Sequence, residues 1–321
     1  MTKTMTVAQP DPPRTIGIDV GGTKTHLALG AGNILRSERY VDTTSWRTHS
    51  FPHNARGVHR LVVEWLGSDA LAWPMAVGAH GCDTTAQCDA FAAELRRYFT
   101  GPLRVVNDAE LVTAATGLTE GIGVIAGTGA IAVARDARGE LLTAGGWGWI
   151  LGDEGSSAGL IREATRAVLT ELDLGGALDP LGRRLMAAFG VTEGAELALA
   201  VSTADSAASL GSHAEQVFLA ADEGSALAAG VVTQAGQQLA LLVDRLAGRG
   251  AAAAQIVAGG TVILVQPRLR RAFLDAVREH QPSSVLQFLD RPPVLGALEL
   301  ASRLGRDGTE AAEPAGTGGI R

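Results

Sequence analysis

Two stretches of this 321-residue chain follow the same pattern, and this repeat constrains the fold more than any other feature. IGIDVGGTKTHLALGAGNILRSE begins at Ile16, and IGVIAGTGAIAVARDARGELLTA begins at Ile122. Each reads as an apolar strand, a turn of small residues with glycine and threonine, a second strand, a tight turn and a third strand. Such a repeat indicates two related halves. We therefore predict an α/β protein whose halves each contain a three-stranded meander and face each other across a cleft.

The rest of the chain reads as helices and terminal tails. Residues 155–250 are alanine-rich and amphipathic, which predicts helices that decorate the second half. Residues 1–13 and 306–321 are rich in proline, glycine, threonine and charge, and we predict that both are disordered tails.

Charge and cysteine content argue against several classes of protein. The formal net charge is −7, which disfavours a general nucleic-acid binder because phosphate backbones demand clustered cations. Cys82 and Cys88 alone make neither a disulfide framework nor a zinc site. No uninterrupted apolar run approaches membrane-spanning length, and no signal-peptide pattern is present at the N-terminus. We expect a soluble cytoplasmic protein without nucleic-acid or membrane partners.

The first glycine turn has the residue types that bind phosphate. Gly21 and Gly22 let the backbone approach a ligand, and their N–H groups can form an anion nest. The Thr23 hydroxyl and the ammonium of Lys24, one of two lysines in the chain, add donors. Asp19 ends the strand before the turn and can hold a hydrated Mg²⁺. The alternative is a plain hairpin turn with a surface lysine.

Two further glycine turns follow strands of the second half. Gly127–Gly129 (GTG) is equivalent to the first turn, so both turns would converge on one polyphosphate if the halves face each other. Gly259–Thr261 (GGT) ends another strand, where glycine leaves a flat backbone surface for a purine. Three such turns at strand ends are less expected by chance than one.

Polar residues also follow two strands of the first half. Asp108, after Asn107, can orient an acceptor hydroxyl and take its proton, although an aspartate here also suits a helix N-cap. We interpret His80, Cys82 and Asp83 as polar residues of a cleft, since no second group of metal ligands has suitable spacing.

The segment Gly145–Ser157, GGWGWILGDEGSS, suits a sugar. Acidic side chains can accept from vicinal hydroxyls, and aromatic rings can form the walls. The alternative is a tight loop in which Asp153 or Glu154 caps the next helix. We assign Trp149 to the core.

Together these motifs resemble the BadF/BadG/BcrA/BcrD-type ATPase family of the actin-like, hexokinase-like superfamily. This family groups eukaryotic N-acetylglucosamine kinase with bacterial sugar kinases and with ATPase activators of acyl-CoA reductases and dehydratases. The matches, in the family's order over about residues 14–304, are DVGGTKT (19–25), NDAE (107–110), GTG (127–129), GGWG (145–148), GDEGS (152–156), AGGT (258–261) and PVLGAL (293–298). The GGWG and GDEGS pair points to the amino-sugar kinase branch, and the chain looks most like an actinobacterial glucosamine kinase.

The resemblance implies two RNase H-like domains that face each other across a cleft. The smaller N-terminal α/β domain would comprise residues 14–118 and a returning helix at 294–304. The larger C-terminal α/β domain would comprise residues 119–293, with a helical insertion. Relatives are often dimers, so we expect a homodimer.

The resemblance also implies ATP, Mg²⁺ and an amino sugar as ligands. Asp108 would take the proton from the sugar 6-hydroxyl, and Asp19 and Asp108 would hold the metal ion. The implied nucleotide-binding residues are Asp19, Gly21, Gly22, Thr23, Lys24, Thr128, Gly129, Gly259, Gly260 and Thr261. The implied sugar-binding residues are Thr44, Ser45, His80, Asn107, Asp108, Gly146, Trp147, Asp153 and Glu154.

Two departures from the family bear on the sugar. N-acetylglucosamine kinases carry Asn-His-Trp where this chain has TTSW (43–46), and Ser-Gly-Gly where it has AHG (79–81). Both changes fall where the C2 substituent and ring hydroxyls would be read. We therefore predict glucosamine as the acceptor, with N-acetylglucosamine as the alternative. Asp153 and Glu154 are both candidates to bind its ammonium.

Three rival functions can be separated from this one. A redox activator would hold an iron–sulfur cluster between two subunits, and Cys82 with Cys88 gives four cysteines per dimer. Neither cysteine lies beside Gly127–Gly129, where we would expect one. A sugar-sensing regulator would need a helix-turn-helix domain, for which the residues before Arg14 are too few. A plain ATPase would hydrolyse ATP equally with and without glucosamine.

Overall fold

The computed structural model describes residues 13–310, with side chains up to residue 306. The strands are β1 (Arg14–Val20), β2 (Lys24–Ala31), β3 (Ile34–Asp42), β4 (Met75–Ala79), β5 (Leu103–Val106), β6 (Ile122–Ala126), β7 (Ala130–Arg135), β8 (Leu141–Gly145), β9 (Gln255–Gly259) and β10 (Val285–Phe288). The α-helices are α1 (Phe51–Leu66), α2 (Thr85–Leu95), α3 (Glu110–Ala114), α4 (Ser157–Asp173), α5 (Pro180–Phe189), α6 (Gly194–Ser202), α7 (Ala207–Gly211), α8 (Glu215–Asp222), α9 (Ala226–Ala247), α10 (Thr261–Val265), α11 (Pro267–His280) and α12 (Val294–Glu310). Short 3-10 helices span Thr43–Ser45 and Ser68–Ala72.

Unit 1 comprises the described residues up to Gly117 and those from Arg291 onward. Its sheet has the strand order β3-β2-β1-β4-β5, in which β1–β3 form an antiparallel meander and β4 and β5 run parallel to β1. Because parallel strands end at the same edge of a sheet, the loops after β1, β4 and β5 lie together. Helix α12 packs closely on β1, since a Cβ on Gly17 would lie 2.8 Å from the backbone nitrogen of Leu298.

Unit 2 comprises Leu118–Asp290, and its sheet has the order β10-β9-β6-β7-β8. Strands β6–β8 form an antiparallel meander, and β9 and β10 run parallel to β6. Each sheet thus continues from the first strand of its meander into two parallel strands, which confirms the predicted repeat. The predicted helical region forms α4–α9. Helix α9 is long and apolar enough to cross a membrane by length and composition alone, and half of it is buried inside unit 2, as is typical of a core helix.

The predicted tails lie mostly outside the described residues. Nothing is described for residues 1–12 and 311–321. The structure places residues 306–310 in α12 instead of in the predicted tail. Helix α12 is anchored by its packing on β1 and β4, and each further residue adds a backbone hydrogen bond at little cost.

Candidate functional site

The first glycine turn is the hairpin between β1 and β2. The N–H of Gly21 donates to the carbonyl of Lys24 at 3.1 Å, and Gly22 and Thr23 are exposed at the tip. The Thr23 carbonyl accepts from the N–H of Thr43 at 2.9 Å. The turn is therefore anchored at its base while its tip presents backbone to solvent, as an anion nest requires.

Asp19 lies just before this turn in a desolvated position. Burial, followed by the negative charge of Asp108, raises the pKa of Asp19 to about 7, and the positive charge of Lys24 opposes the shift. Within the described side chains, no N–H or O–H group donates to the Asp19 carboxylate. In phosphate-binding sites Mg²⁺ binds through one or two carboxylates together with phosphate oxygens and water. Asp19 and Asp108 therefore fit a magnesium ion.

Asp108 follows β5 in a loop that Asn107 holds in place. The Asn107 amide nitrogen donates to the carbonyl of Cys82 at 3.0 Å and to Oδ1 of Asp83 at 3.1 Å. Its Oδ1 accepts from the N–H of Ala109 at 2.9 Å, and the residue is 1% exposed. The donors of Asn107 are thus engaged within the protein, so its direct contact with a sugar stays a prediction.

Asp108 is not the N-cap of α3, because that position belongs to Ala109. One carboxylate oxygen, Oδ1, accepts from the N–H of Ala109 at 3.1 Å. The other, Oδ2, lies 3.6 Å from Nδ1 of His80. One face of the carboxylate is therefore held by the backbone, and the other faces the loop after β4.

His80 begins the loop after β4. Asp108 raises the pKa of the His80 imidazole, while burial and the charge of Arg47 lower it. Nη2 of Arg47 donates to the His80 carbonyl at 2.6 Å. A Cβ built on Gly22 would lie 3.9 Å from Cδ2 of His80. The structure thus brings His80, Asp108 and the first glycine turn together within unit 1.

Lys24 places its ammonium beside an aromatic ring. Nζ lies 4.1 Å from the ring centroid of Tyr40 on β3, a cation–π contact. Tyr40 also stacks on His26, with the ring centroids 4.0 Å apart. The ammonium remains close enough to Asp19 to lower its pKa, so its positive charge acts on the site.

Thr44 and Ser45 use their donors within their own 3-10 helix. Thr44 donates its N–H and its hydroxyl to Oδ1 of Asp42, at 2.8 and 2.7 Å. The hydroxyl of Ser45 donates to the Asp42 carbonyl at 2.6 Å. Both residues are exposed, and their hydroxyl oxygens remain as acceptors. Trp46, by contrast, is buried, and its indole N–H donates to Oγ1 of Thr25 at 3.2 Å.

The second and third glycine turns lie together in unit 2. A Cβ on Gly127 would lie 3.5 Å from Oγ1 of Thr261. Gly260 has φ 102°, and a Cβ there would lie 2.5 Å from the carbonyl oxygen of Ala126, so this position requires glycine. A cavity of about 350 Å³ adjoins both turns. Its lining includes Thr128, Ser157, Gly211, Glu215, Phe218 and Thr261.

Asp153 supports the second turn from beneath. Its Oδ1 accepts from the N–H of Ala130 at 3.3 Å, and a Cβ on Gly129 would lie 3.2 Å from its Oδ2. Burial raises the pKa of Asp153, and the hydrogen bond from Ala130 opposes the shift. Asp153 has φ 59°, a left-handed conformation that no other non-glycine residue adopts in the described part of the chain. The N–H of Gly146 donates to the carbonyl of Ala130 at 2.8 Å. The loop after β8 and the second glycine turn are therefore both held by Ala130, the first residue of β7.

Glu154 and the tryptophans of the same loop lie in different surroundings. Glu154 lines a separate cavity of about 200 Å³ together with Glu163 and Arg166. The structure therefore places Asp153 and Glu154 in different surroundings, although sequence made both of them equal candidates to bind the sugar ammonium. Trp147 is 74% exposed, whereas Trp149 packs against the core, as predicted.

Sequence reasoning missed the contact of Arg47 and underrated Asp83. Arg47 fixes the backbone of His80, and Asp83 accepts from the amide of Asn107. Arginine is the common basic residue of this chain, so its type gave no signal at position 47. The signal that could have indicated Arg47 is its position, because it directly follows the TTSW segment (43–46) that was assigned to sugar binding.

Known proteins share the fold over nearly the whole chain. A Chromobacterium violaceum structure described as a candidate N-acetylglucosamine kinase has a TM-score of 0.63 and 23% identity, and the match covers 91% of this chain and 100% of that one. A ROK family glucokinase from Streptomyces griseus, solved with glucose and AMPPNP, has a TM-score of 0.54 and 16% identity, with 92% and 100% covered. At these identities the similarity shows the fold.

Sequence comparison also gives a family. An N-acetylmuramic acid/N-acetylglucosamine kinase of Clostridium acetobutylicum is 32% identical over 166 residues, which are 49% of this chain and 54% of the relative. The chain thus spans about half the length of that curated relative. The model of the BadF/BadG/BcrA/BcrD ATPase family matches residues 16–301. This match extends over both glycine-turn meanders and the Asp108 loop, and the chain therefore belongs to the BadF/BadG/BcrA/BcrD ATPase family.

Proposed function

We propose that the protein is an ATP-dependent amino-sugar kinase. It transfers the γ-phosphate of ATP to the 6-hydroxyl of D-glucosamine and yields glucosamine 6-phosphate. The observation that carries this proposal is the position of Asp108, whose Oδ2 lies 3.6 Å from Nδ1 of His80 beside the first glycine turn of a chain from this family. A carboxylate next to a phosphate-binding turn is what a phosphoryl acceptor hydroxyl needs.

Each unit has its own part in nucleotide binding. In unit 1, the N–H groups of Gly22 and Thr23 and the ammonium of Lys24 contact phosphate oxygens, while the N–H of Gly21 closes the hairpin. In unit 2, Thr128 and Gly129 contact phosphate. The cavity beside Thr261 takes the adenosine, and its volume of about 350 Å³ lies in the range of small-molecule sites.

The transfer forms one bond and breaks another. The sugar O6 bonds to the γ-phosphorus while the bond from that phosphorus to the leaving oxygen of ADP breaks. The carboxylate of Asp108 orients the 6-hydroxyl and accepts its proton. Asn107 holds the Asp108 loop through its contacts with Cys82 and Asp83, so the geometry of the base is set before the sugar arrives.

Asp19 and Asp108 would hold a magnesium ion. When bound, Mg²⁺ neutralises charge on the phosphate oxygens and orients them for the transfer. Asp19 fits this role because its carboxylate is desolvated and has no protein donor in the described part of the chain.

We assign the sugar contact of the unit 2 loop to Asp153. It lies against Gly129 of the second turn, whereas Glu154 lines a separate cavity with Glu163 and Arg166. A carboxylate suits the C2 ammonium of glucosamine, and Thr44 offers no amide like the one that N-acetylglucosamine kinases place in that segment. N-acetylglucosamine is the alternative acceptor, and the name of the Clostridium acetobutylicum relative supports testing it.

One coupled assay of ADP release tests the proposal. The acceptors are glucosamine, N-acetylglucosamine, N-acetylmuramic acid, glucose and N-acetylmannosamine, with a reaction lacking sugar as the baseline. We expect sugar-dependent ADP release with the highest kcat/KM for glucosamine. A higher kcat/KM for an acetylated sugar would replace glucosamine as the substrate. ADP release at the baseline rate with every sugar would overturn the kinase assignment.

A further inference from the structure

His80 lies between the two parts of unit 1 that the proposed transfer uses. Nδ1 of its imidazole is 3.6 Å from Oδ2 of Asp108. The other edge of the ring faces the first glycine turn, where a Cβ built on Gly22 would lie 3.9 Å from Cδ2 and 4.0 Å from Nε2. The side chain is 58% exposed, so a ligand can reach it.

The backbone on both sides of the ring is fixed. The N–H of His80 donates to the carbonyl of Val20, the last residue of β1, at 2.9 Å. Its carbonyl accepts from Nη2 of Arg47 at 2.6 Å. A Cβ on Gly81 would lie 2.8 Å from the same Nη2, so the arginine fits closely against this loop. The backbone that carries the imidazole is therefore held in place before any ligand binds, and donors that are positioned in advance stabilise charge efficiently.

We propose that His80 is a catalytic residue whose Nε2–H donates a hydrogen bond to a non-bridging oxygen of the phosphoryl group during transfer. This inference rests on the proposed kinase function. Nδ1 is the ring nitrogen on the Asp108 side and Nε2 is the one on the side of the glycine turn, so an Nε2–H group there can donate to a phosphoryl oxygen. His80 neither gains nor loses a proton in the step. The proton of the sugar hydroxyl goes to Asp108, and ADP leaves with the electron pair of the broken P–O bond.

Two other roles for His80 predict different behaviour. If the ring only contacted the sugar, its loss would raise the KM for the sugar and spare kcat. If it acted only through Asp108, a donor placed at the Nδ1 position would replace it. A contact with the phosphoryl group instead requires a donor at the Nε2 position and acts on kcat.

Three variants separate these roles. In His80→Gln the amide nitrogen reaches the region of Nε2, in His80→Asn it reaches the region of Nδ1, and His80→Ala has neither donor. We expect His80→Ala to lower kcat by about 100-fold, as the loss of one oxyanion donor does, with an unchanged KM for glucosamine. We expect the kcat of His80→Gln to be about tenfold higher than that of His80→Ala. The kcat of His80→Asn is expected to equal that of His80→Ala. His53→Ala, which truncates an exposed histidine of α1, serves as the matched control.

A binding measurement tests the same contact without turnover. Aluminium fluoride together with ADP mimics the planar phosphoryl group of the transition state. Calorimetry measures the affinity of the protein for this ADP–fluoride complex in the presence of Mg²⁺ and glucosamine. We expect His80→Ala to weaken binding of this complex by about tenfold or more, and binding of ADP alone to stay as in the wild type.

The outcomes distinguish the two proposals. Wild-type kcat in His80→Ala, rescue by His80→Asn instead of His80→Gln, or wild-type affinity of His80→Ala for the fluoride complex would each overturn the role of His80 while the kinase function stands. Failure of the wild-type protein to phosphorylate any amino sugar would overturn the kinase function and, with it, the role of His80.

Discussion

Asp19 and Asp108 lie close enough that the charge of one alters the other, and neither can be understood alone. Asp19 comes from β1 and Asp108 from the loop after β5, two segments almost ninety residues apart in sequence. Sequence named both residues from their position at strand ends. It could not show their repulsion, or the proximity of His80, because these depend on three strands ending at one sheet edge.

Asp108→Asn tests the proposed base. We expect kcat to fall by about 100-fold or more, because the amide cannot accept the proton of the hydroxyl. Glucosamine should still bind, since the amide retains hydrogen-bonding capacity. Coupled ADP release measures turnover, and calorimetry measures sugar binding. Near-normal turnover would remove Asp108 from the role of base.

Asp19→Asn tests the desolvated carboxylate through stability. Between the ordinary value of 3.8 and about 7, the unfolded chain has lost this proton while the folded protein keeps it. Rising pH therefore favours the unfolded wild type across this window. We expect Asp19→Asn to raise the Tm of the ligand-free protein in buffers above pH 7, with a smaller difference near pH 4, and to abolish turnover. Equal Tm differences at both pH values would contradict the raised pKa.

Lys24→Arg tests why this position holds a lysine. A planar guanidinium fits less well beside a tight turn than a compact ammonium does, so we expect a higher KM for ATP and a lower kcat. Tyr40→Phe keeps the ring beneath the cation and serves as the control. If Lys24→Arg has wild-type KM for ATP and wild-type kcat, the lysine has no specific task.

At the scale of elements, sequence predicted the strands and turns better than the contacts between them. The β1–β3 and β6–β8 meanders follow from alternating apolar runs and glycine turns. The amphipathic spacing of residues 86–99 predicts one helix over that range, but α2 ends at Leu95. Phe99 is buried where the chain turns toward the Leu71 carbonyl, which accepts from the N–H of Thr100 at 2.8 Å. That tertiary contact cannot be read from local periodicity. Nor can the different surroundings of Asp153 and Glu154, which are adjacent in sequence.

Gly17→Val tests the packing of α12 on β1. The new side chain would meet backbone atoms of Val294 and Leu298, neither of which can move without displacing the helix. We expect a loss of about 1–3 kcal/mol in the free energy of unfolding, measured by urea denaturation. Gly230→Ala in α9 is the control, because nothing lies within 4 Å of the new Cβ. For Gly230→Ala we expect the free energy of unfolding to rise by up to about 1 kcal/mol, because alanine has a higher helix propensity than glycine. An unchanged midpoint for Gly17→Val would contradict the close packing.

At the scale of the whole molecule, the positions of the two cysteines bear on the redox rival. Cys82 and Cys88 are both buried inside unit 1, where Sγ of Cys88 lies 3.6 Å from the carbonyl of Cys82. Cluster ligands shared between two subunits must lie at the surface. We expect the purified protein to be colourless and free of iron by elemental analysis. Stoichiometric iron with the visible absorption of an iron–sulfur cluster would instead support the function of a redox activator.

The placement of α12 in unit 1 determines the order in which the protein can fold as it leaves the ribosome. Translation delivers all of Leu118–Asp290 before Val294 emerges, so unit 2 can fold while unit 1 still lacks a helix. During that interval the nascent chain exposes the apolar face of β1 and β2 that α12 later covers, including Ala28. A ribosome that stalls, or a stop codon before residue 294, would leave this face open and mark the product for chaperones and proteases.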